Sequence, residues 1–105
     1  MIIEFKYKIS DDIFALANKE LVNFYDNYIT GYLDEGDVHH LQHCSLYMVC
    51  EIIDPNKKIY GNAVAVVASN ESRALEIYGE RIPNKNAIIF YQILDNCKNI
   101  KVIPI

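Results

Sequence analysis

The chain has 105 residues, which is the length of one domain and too short for two separate cores. Its apolar fraction is 51% and its charged fraction is 23%, a composition that excludes a disordered, collagen-like or low-complexity chain. Ten Lys and Arg residues against fourteen Asp and Glu residues give a net charge of −4. Because contacts with phosphate need a basic excess, we expect a single acidic domain that does not bind nucleic acid directly.

The apolar runs and the cysteines predict where the protein is found. No run approaches the roughly 20 apolar residues of a membrane-spanning helix. The first residues lack the basic leader and the apolar core of a signal peptide. Three cysteines without a C-x-x-C pair argue against a disulfide framework and against a zinc ribbon. The sequence therefore predicts a cytoplasmic protein that makes no contact with a membrane.

The first predicted elements are a strand and a long helix. Residues 2–9 alternate between apolar and polar, which is typical of a half-buried strand of an antiparallel sheet. Ser10 and two following acids predict a helix N-terminus. Beyond it, apolar residues recur at steps of three and four positions: Phe14, Ala17, Leu21, Phe24, Tyr28 and Tyr32. This spacing predicts one long amphipathic helix that ends near Gly31 or Gly36.

The second half of the chain predicts a hairpin, a short helix and two strands. Residues 45–53 and 58–68 read as strands joined by a turn at Asp54 and Pro55. An N-cap at Ser69 or Asn70 begins a helix over residues 71–78, after which Gly79 is placed as the residue that ends it. Residues 87–94 form a near-continuous apolar strand, which is typical of burial on both faces or of a central position, and residues 100–105 form a last strand.

The order of these elements predicts an α+β fold of the ferredoxin-like, split βαβ kind. The plan is β-α-β-β-α-β with an extra strand at the C-terminal end of the sequence. We expect one antiparallel sheet that carries two helices on one face. Because this fold supports many unrelated activities, the function has to be argued from particular residues.

The acidic stretch of residues 11–37 is the first functional candidate, since seven acids stand there against one lysine. The dispersed glycines build no phosphate-binding loop and no G-x-S-x-G motif occurs, so we expect a binding protein rather than an enzyme. Its profile is that of small inhibitors of basic, nucleic-acid-handling proteins, such as immunity proteins and anti-CRISPR proteins. The expected partner contacts, charged residues with two tyrosine anchors, are Asp12, Glu20, Asp26, Asp34, Glu35, Asp37, Tyr25 and Tyr32.

A histidine cluster supports an alternative function, the binding of a metal ion or a small molecule. Residues 39–44 read HHLQHC, and His39 and His43 share one face if this segment is an α-helix. Two imidazoles so placed, with the thiolate of Cys44, can hold zinc. A third alternative is a homodimer that forms through an exposed sheet face or through the last strand.

Overall fold

A computed structural model describes residues 1–83 and 86–104. The helices and strands follow one another in short steps, with a 3₁₀ helix between the second and third strands. In chain order they are β1 (Ile2–Lys8), α1 (Asp11–Asn18), β2 (Tyr28–Asp34), the 3₁₀ helix (Glu35–His43), β3 (Ser45–Asp54), β4 (Ile59–Ala68), α2 (Glu71–Arg81), β5 (Ala87–Leu94) and β6 (Ile103–Pro104).

Among the described residues, six strands form one sheet in the order β5-β3-β4-β2-β1-β6. The predicted α+β class is confirmed and is consistent with a ferredoxin-like fold, although the strand order departs from the usual one. The wholly antiparallel sheet is corrected to a mixed one, because β2 and β4 run parallel. The reason is the hairpin. β4 runs back antiparallel to β3 and so lies beside β2 in the same direction.

The two helices pack on opposite faces of the sheet, which corrects the expectation that they share one face. On β4, Ala65 and Val67 belong to the core that contains Ala17 of α1. Val64 and Val66 belong to the core that contains Tyr78 of α2. Because successive side chains of an apolar strand point to both sides, each face needs its own cover. Neither helix of the described residues combines the length and the apolar character that crossing a bilayer requires.

The predicted long helix is wrong beyond Asn18. Ser10 caps the helix as expected, since its Oγ accepts a hydrogen bond from the Ile13 amide at 3.3 Å. The helix ends at Asn18, whose side chain donates a hydrogen bond to the Phe24 carbonyl at 2.6 Å and closes a loop. Residues 28–34 then form β2, which pairs with β1 and sets Gly31 opposite Phe5. Only glycine fits there, because a Cβ would overlap the Phe5 ring.

The second helix is longer than predicted. Asn70 caps α2 by accepting from the Arg73 amide at 2.9 Å, and the helix runs through Gly79 to Arg81. Its fully buried Tyr78 hydroxyl donates to the Asn62 carbonyl at 3.0 Å, which anchors α2 to β4.

The last two strands form the two edges of the described sheet, at opposite sides. β5 is an edge strand rather than a central one, and two register shifts interrupt its pairing with β3, as is common at sheet edges. The last strand is shorter than predicted: only Ile103–Pro104 pairs with β1, and residue 105 lies outside the described residues.

Candidate protein-binding site

The predicted acidic contacts lie on several elements rather than along one helix. Asp12 is exposed in the first turn of α1, and Tyr25 and Asp26 lie in the loop of residues 19–27 that joins α1 to β2. Glu35 and Asp37 lie in the first turn of the 3₁₀ helix. The seven residues of β2 separate Tyr25 and Asp26 from Glu35 and Asp37, and a strand of that length spans about 20 Å. These positions therefore do not form one continuous stripe that a single partner helix could contact.

Tyr32 and Asp34 contact residues of α2, and Glu20 is exposed in the α1–β2 loop. The Arg81 guanidinium lies 5.6 Å from the centre of the Tyr32 ring. Asp34 pairs with Arg73 at 2.6 Å and accepts a hydrogen bond from the Gly36 amide at 2.9 Å. The Gly36 amide and, after it, Arg73 hold the pKa of the Asp34 carboxyl below its ordinary value. Asp34 therefore has a structural role: it caps the 3₁₀ helix and links it to α2.

The histidine cluster does not form the expected chelating pair. The segment is a 3₁₀ helix with three residues per turn, so side chains four positions apart do not share a face. The backbone also bends at His40, where φ is −129°. His39 and His43 are exposed, whereas Cys44 is buried. Within residues 1–83 and 86–104, no group of three or more His, Cys, Asp or Glu side chains is placed to hold a metal ion.

The three cysteine thiols are buried in the core shared with α1. Burial, assisted by Glu51, raises the pKa of Cys50 to about 11, and burial together with Cys44 raises that of Cys97 to about 12. Burial and then Asp37 raise the pKa of Cys44. Because the thiolate is the nucleophile and the metal ligand, none of these thiols is activated for either role at neutral pH.

A surface depression lies where β2 and β4 separate. Their parallel pairing covers residues 31–33 and 65–67, and earlier in both strands the α1–β2 loop lies between them. Leu21 forms an isolated bridge with Tyr60, and the Val22 amide donates to the Tyr60 carbonyl at 2.9 Å. The loop thus takes the place of further pairing between the strands and leaves a depression at its side.

Two adjoining cavities of about 160 Å³ and about 300 Å³ occupy this depression. They share Asn23, Phe24 and Ala63 in their walls. Asn23 and Asn62, which also lines the smaller cavity, both adopt left-handed backbone conformations, with φ of 56° and 51°. Asparagine tolerates this conformation better than most residues, so the two positions shape the walls without a glycine.

Four large hydrophobic side chains stand exposed around these cavities, and we call them the Tyr25 patch. They are Val22 (41% exposed), Tyr25 (81%), Tyr28 (43%) and Ile53 (50%). Val22 and Ile53 both lie over Gly61, where a Cβ would overlap the Ile53 side chain at 2.6 Å and press against Val22 at 3.1 Å. Gly61 therefore leaves room for close packing on β4, and the side chains that pack there are part of an exposed apolar surface.

Charged groups of both signs lie at the edge of the Tyr25 patch. Asp26 accepts a hydrogen bond from the Tyr28 amide at 2.9 Å and lines the larger cavity together with Lys6. Glu51 accepts a hydrogen bond from the side chain of Asn62 in the smaller cavity. With the Lys8 ammonium, which lies 5.6 Å from the centre of the Tyr28 ring, two carboxylates stand against two ammonium groups, so the rim is balanced in charge.

Of the residues predicted to contact a partner, Tyr25 and Asp26 lie at this site. Val22, Tyr28 and Ile53 were missed, because the helical reading of residues 11–36 placed Tyr28 in a buried stripe. The alternation of β3 gave no signal for Ile53, because Tyr47 and Val49, which share its phase in the sequence, are buried in the core under α2. Comparison of the chain with protein-family models, with curated proteins and with solved structures gave no match.

Proposed function

We propose that this chain is a non-enzymatic binding protein that docks on another protein through the Tyr25 patch. The observation that carries the proposal is the clustering of four exposed hydrophobic side chains around two adjoining cavities. Contiguous exposed apolar surface on a small domain marks interaction sites more often than scattered single residues do.

Tyr25 has the properties of an interface anchor. Its side chain is 81% exposed, and its hydroxyl meets only the neighbouring Asn23 side chain, at 3.2 Å, among the described residues. A tyrosine contributes a large contact area at a low cost in conformational entropy, and its hydroxyl supplies one directional bond. The cavities beside it offer space for a side chain of the partner.

The net charge of the chain, −4, favours a basic partner. Asp26 and Glu51 at the Tyr25 patch are balanced there by Lys6 and Lys8, so this preference comes from the whole chain. Opposite charges speed the diffusional encounter of two proteins and select against acidic surfaces. A basic protein that handles nucleic acid is the proposed class of partner, and inhibition of that protein is the proposed consequence.

Capture from a host lysate with three immobilised proteins tests the proposal. Wild-type protein and a Tyr91→Ala variant are expected to retain the same partner, and a Tyr25→Ala variant is expected to lose it. Tyr91 is a matched control, because it is also an exposed tyrosine, 40% accessible, but lies on β5 and lines neither cavity. A partner that Tyr25→Ala retains as well as the wild type does would contradict the proposal.

A further inference from the structure

A second surface depression lies beside β1, where β6 stops pairing with it. β6 pairs with β1 only at Phe5 and Lys6. Continuing that register would set Tyr7 opposite Val102, but residues 99–102 are not in a strand and leave the edge of β1. The separation opens a groove of about 500 Å³, here called the C-terminal groove, which is the size of a pocket for a small organic molecule.

The walls of the C-terminal groove are mainly apolar. Leu94, Ile100, Ile103 and the rings of Tyr7 and Tyr28 line it. Leu94 and Ile100 pack against the core, whereas Ile103 is 47% exposed at the rim. An unbranched hydrocarbon chain has the shape and the polarity that such a lining accommodates.

Two ammonium groups mark the groove as a site for an anion. Lys8 and Lys101 both line it, and neither has a carboxylate within ion-pair distance among the described residues. The Lys8 Nζ lies 5.6 Å from the centre of the Tyr28 ring, which holds this charge at the groove. An anionic head group would therefore meet positive charge without displacing an existing salt bridge.

The Tyr7 hydroxyl adds a hydrogen-bond donor to the same lining. The side chain is half-buried, and its hydroxyl has no hydrogen-bond partner in the described part of the chain. Burial and, after it, the nearby Cys97 raise the pKa of Tyr7, so the phenol keeps its proton at neutral pH. A protonated phenol donates to a carboxylate oxygen.

From these features we infer that the C-terminal groove binds a small amphipathic carboxylate, a medium-length hydrocarbon tail that ends in one carboxyl group. The tail lies along Leu94 and Ile100, and the carboxylate meets Lys8 and Lys101. A cationic or uncharged amphiphile satisfies the apolar walls but not the two ammonium groups. Tyr28 lines both the groove and the Tyr25 patch, but Tyr25 itself does not line the groove, so a variant of Tyr25 tests the two sites separately.

The test is a titration of the intact protein with octanoate, followed by two-dimensional amide NMR. We expect saturable shifts of the Leu94, Ile100 and Ile103 amides. Because burying a methylene contributes about 0.8 kcal/mol, the affinity should rise about fourfold per methylene from butyrate to octanoate. The uncharged octan-1-ol and the cationic octylammonium should bind more weakly than octanoate.

Charge variants distinguish binding of the carboxylate from non-specific hydrophobic binding. The double variant Lys8→Gln/Lys101→Gln loses two exposed ion pairs with the carboxylate. It should therefore bind octanoate about tenfold more weakly and bind octan-1-ol as the wild type does. The matched control is Lys19→Gln/Lys57→Gln, which removes the same charge from two exposed positions outside the groove. Circular dichroism confirms that each variant is folded.

Three results would overturn the inference. The first is no saturable binding of octanoate, and the second is equal binding of octanoate and octylammonium. The third is equal weakening by both double variants, which would indicate a general charge effect. The Tyr25→Ala variant should bind octanoate as the wild type does, so a failure of this site and a failure of the protein-binding site give different results.

Discussion

At the scale of single residues, the thiols of Cys44, Cys50 and Cys97 are close to inert because they are buried. Each is at most 2% exposed, and the surrounding apolar side chains disfavour a charged thiolate. Their role is that of small hydrophobic residues in the core between the sheet and α1.

Thiol labelling checks this account of the cysteines. In native buffer at pH 8, a disulfide reagent such as DTNB should leave all three thiols unlabelled on the time scale of minutes. After unfolding in guanidinium, the same reagent should label three thiols per chain. Rapid labelling of any thiol in the native protein would indicate that the core opens locally.

Asp34 is the carboxylate whose titration should affect the acid stability of the fold. Its ordinary pKa is 3.8, and the folded protein lowers this pKa through the Gly36 amide and Arg73. A lowered pKa means that the stabilisation is fully present above about pH 4 and is lost as the pH falls through the folded-state value.

The Asp34→Asn variant should accordingly melt at a lower temperature than the wild type at pH 6. The gap should narrow as the pH falls towards 3, because the wild type loses the same interactions there. A Glu20→Gln variant is the control, since the exposed Glu20 carboxylate makes no ion pair or hydrogen bond within the described residues. Melting curves across pH 3–7 are the measurement. A constant gap would contradict the assignment to the Asp34 carboxylate.

At the scale of elements, local signals predicted what local physics decides. The Ser10 and Asn70 caps, the alternation of β1 and the turn at Asp54 are all present, because each depends on neighbours in sequence. Residues 28–34 fit both a helical stripe and an alternating strand. Pairing with β1 makes these residues a strand, and a pattern within one segment does not show that distant contact.

Two glycines give a matched test of these elements. Gly31→Ala should destabilise the protein by about 1–3 kcal/mol, because its methyl group would overlap the Phe5 ring between β1 and β2. Gly79→Ala should stabilise it by about 0.5 kcal/mol, since the position is helical and a methyl group there meets nothing within 4 Å. Urea unfolding measures both. Equal effects of the two substitutions would contradict either the β1–β2 register or the continuation of α2 through Gly79.

At the scale of the whole molecule, the candidate site arises from a contact between distant parts of the chain. The α1–β2 loop brings Val22 and Tyr25, and the β3–β4 hairpin brings Ile53 and Gly61. Neither segment shows the site alone, since the Tyr25 patch lies where the parallel strands β2 and β4 separate. The sequence therefore indicated Tyr25 and Asp26, which lie at this site, but placed them on a helix, whereas they lie in the α1–β2 loop.

The central claim is that the Tyr25 patch binds a protein, and the most direct measurement is the Kd of the captured partner, purified and titrated calorimetrically. For Tyr25→Ala we expect a loss of about 2 kcal/mol of binding free energy, which corresponds to about a thirtyfold higher Kd. For Tyr91→Ala we expect a Kd within a factor of about two of the wild-type value. Equal Kd values for the wild type and Tyr25→Ala would contradict the claim.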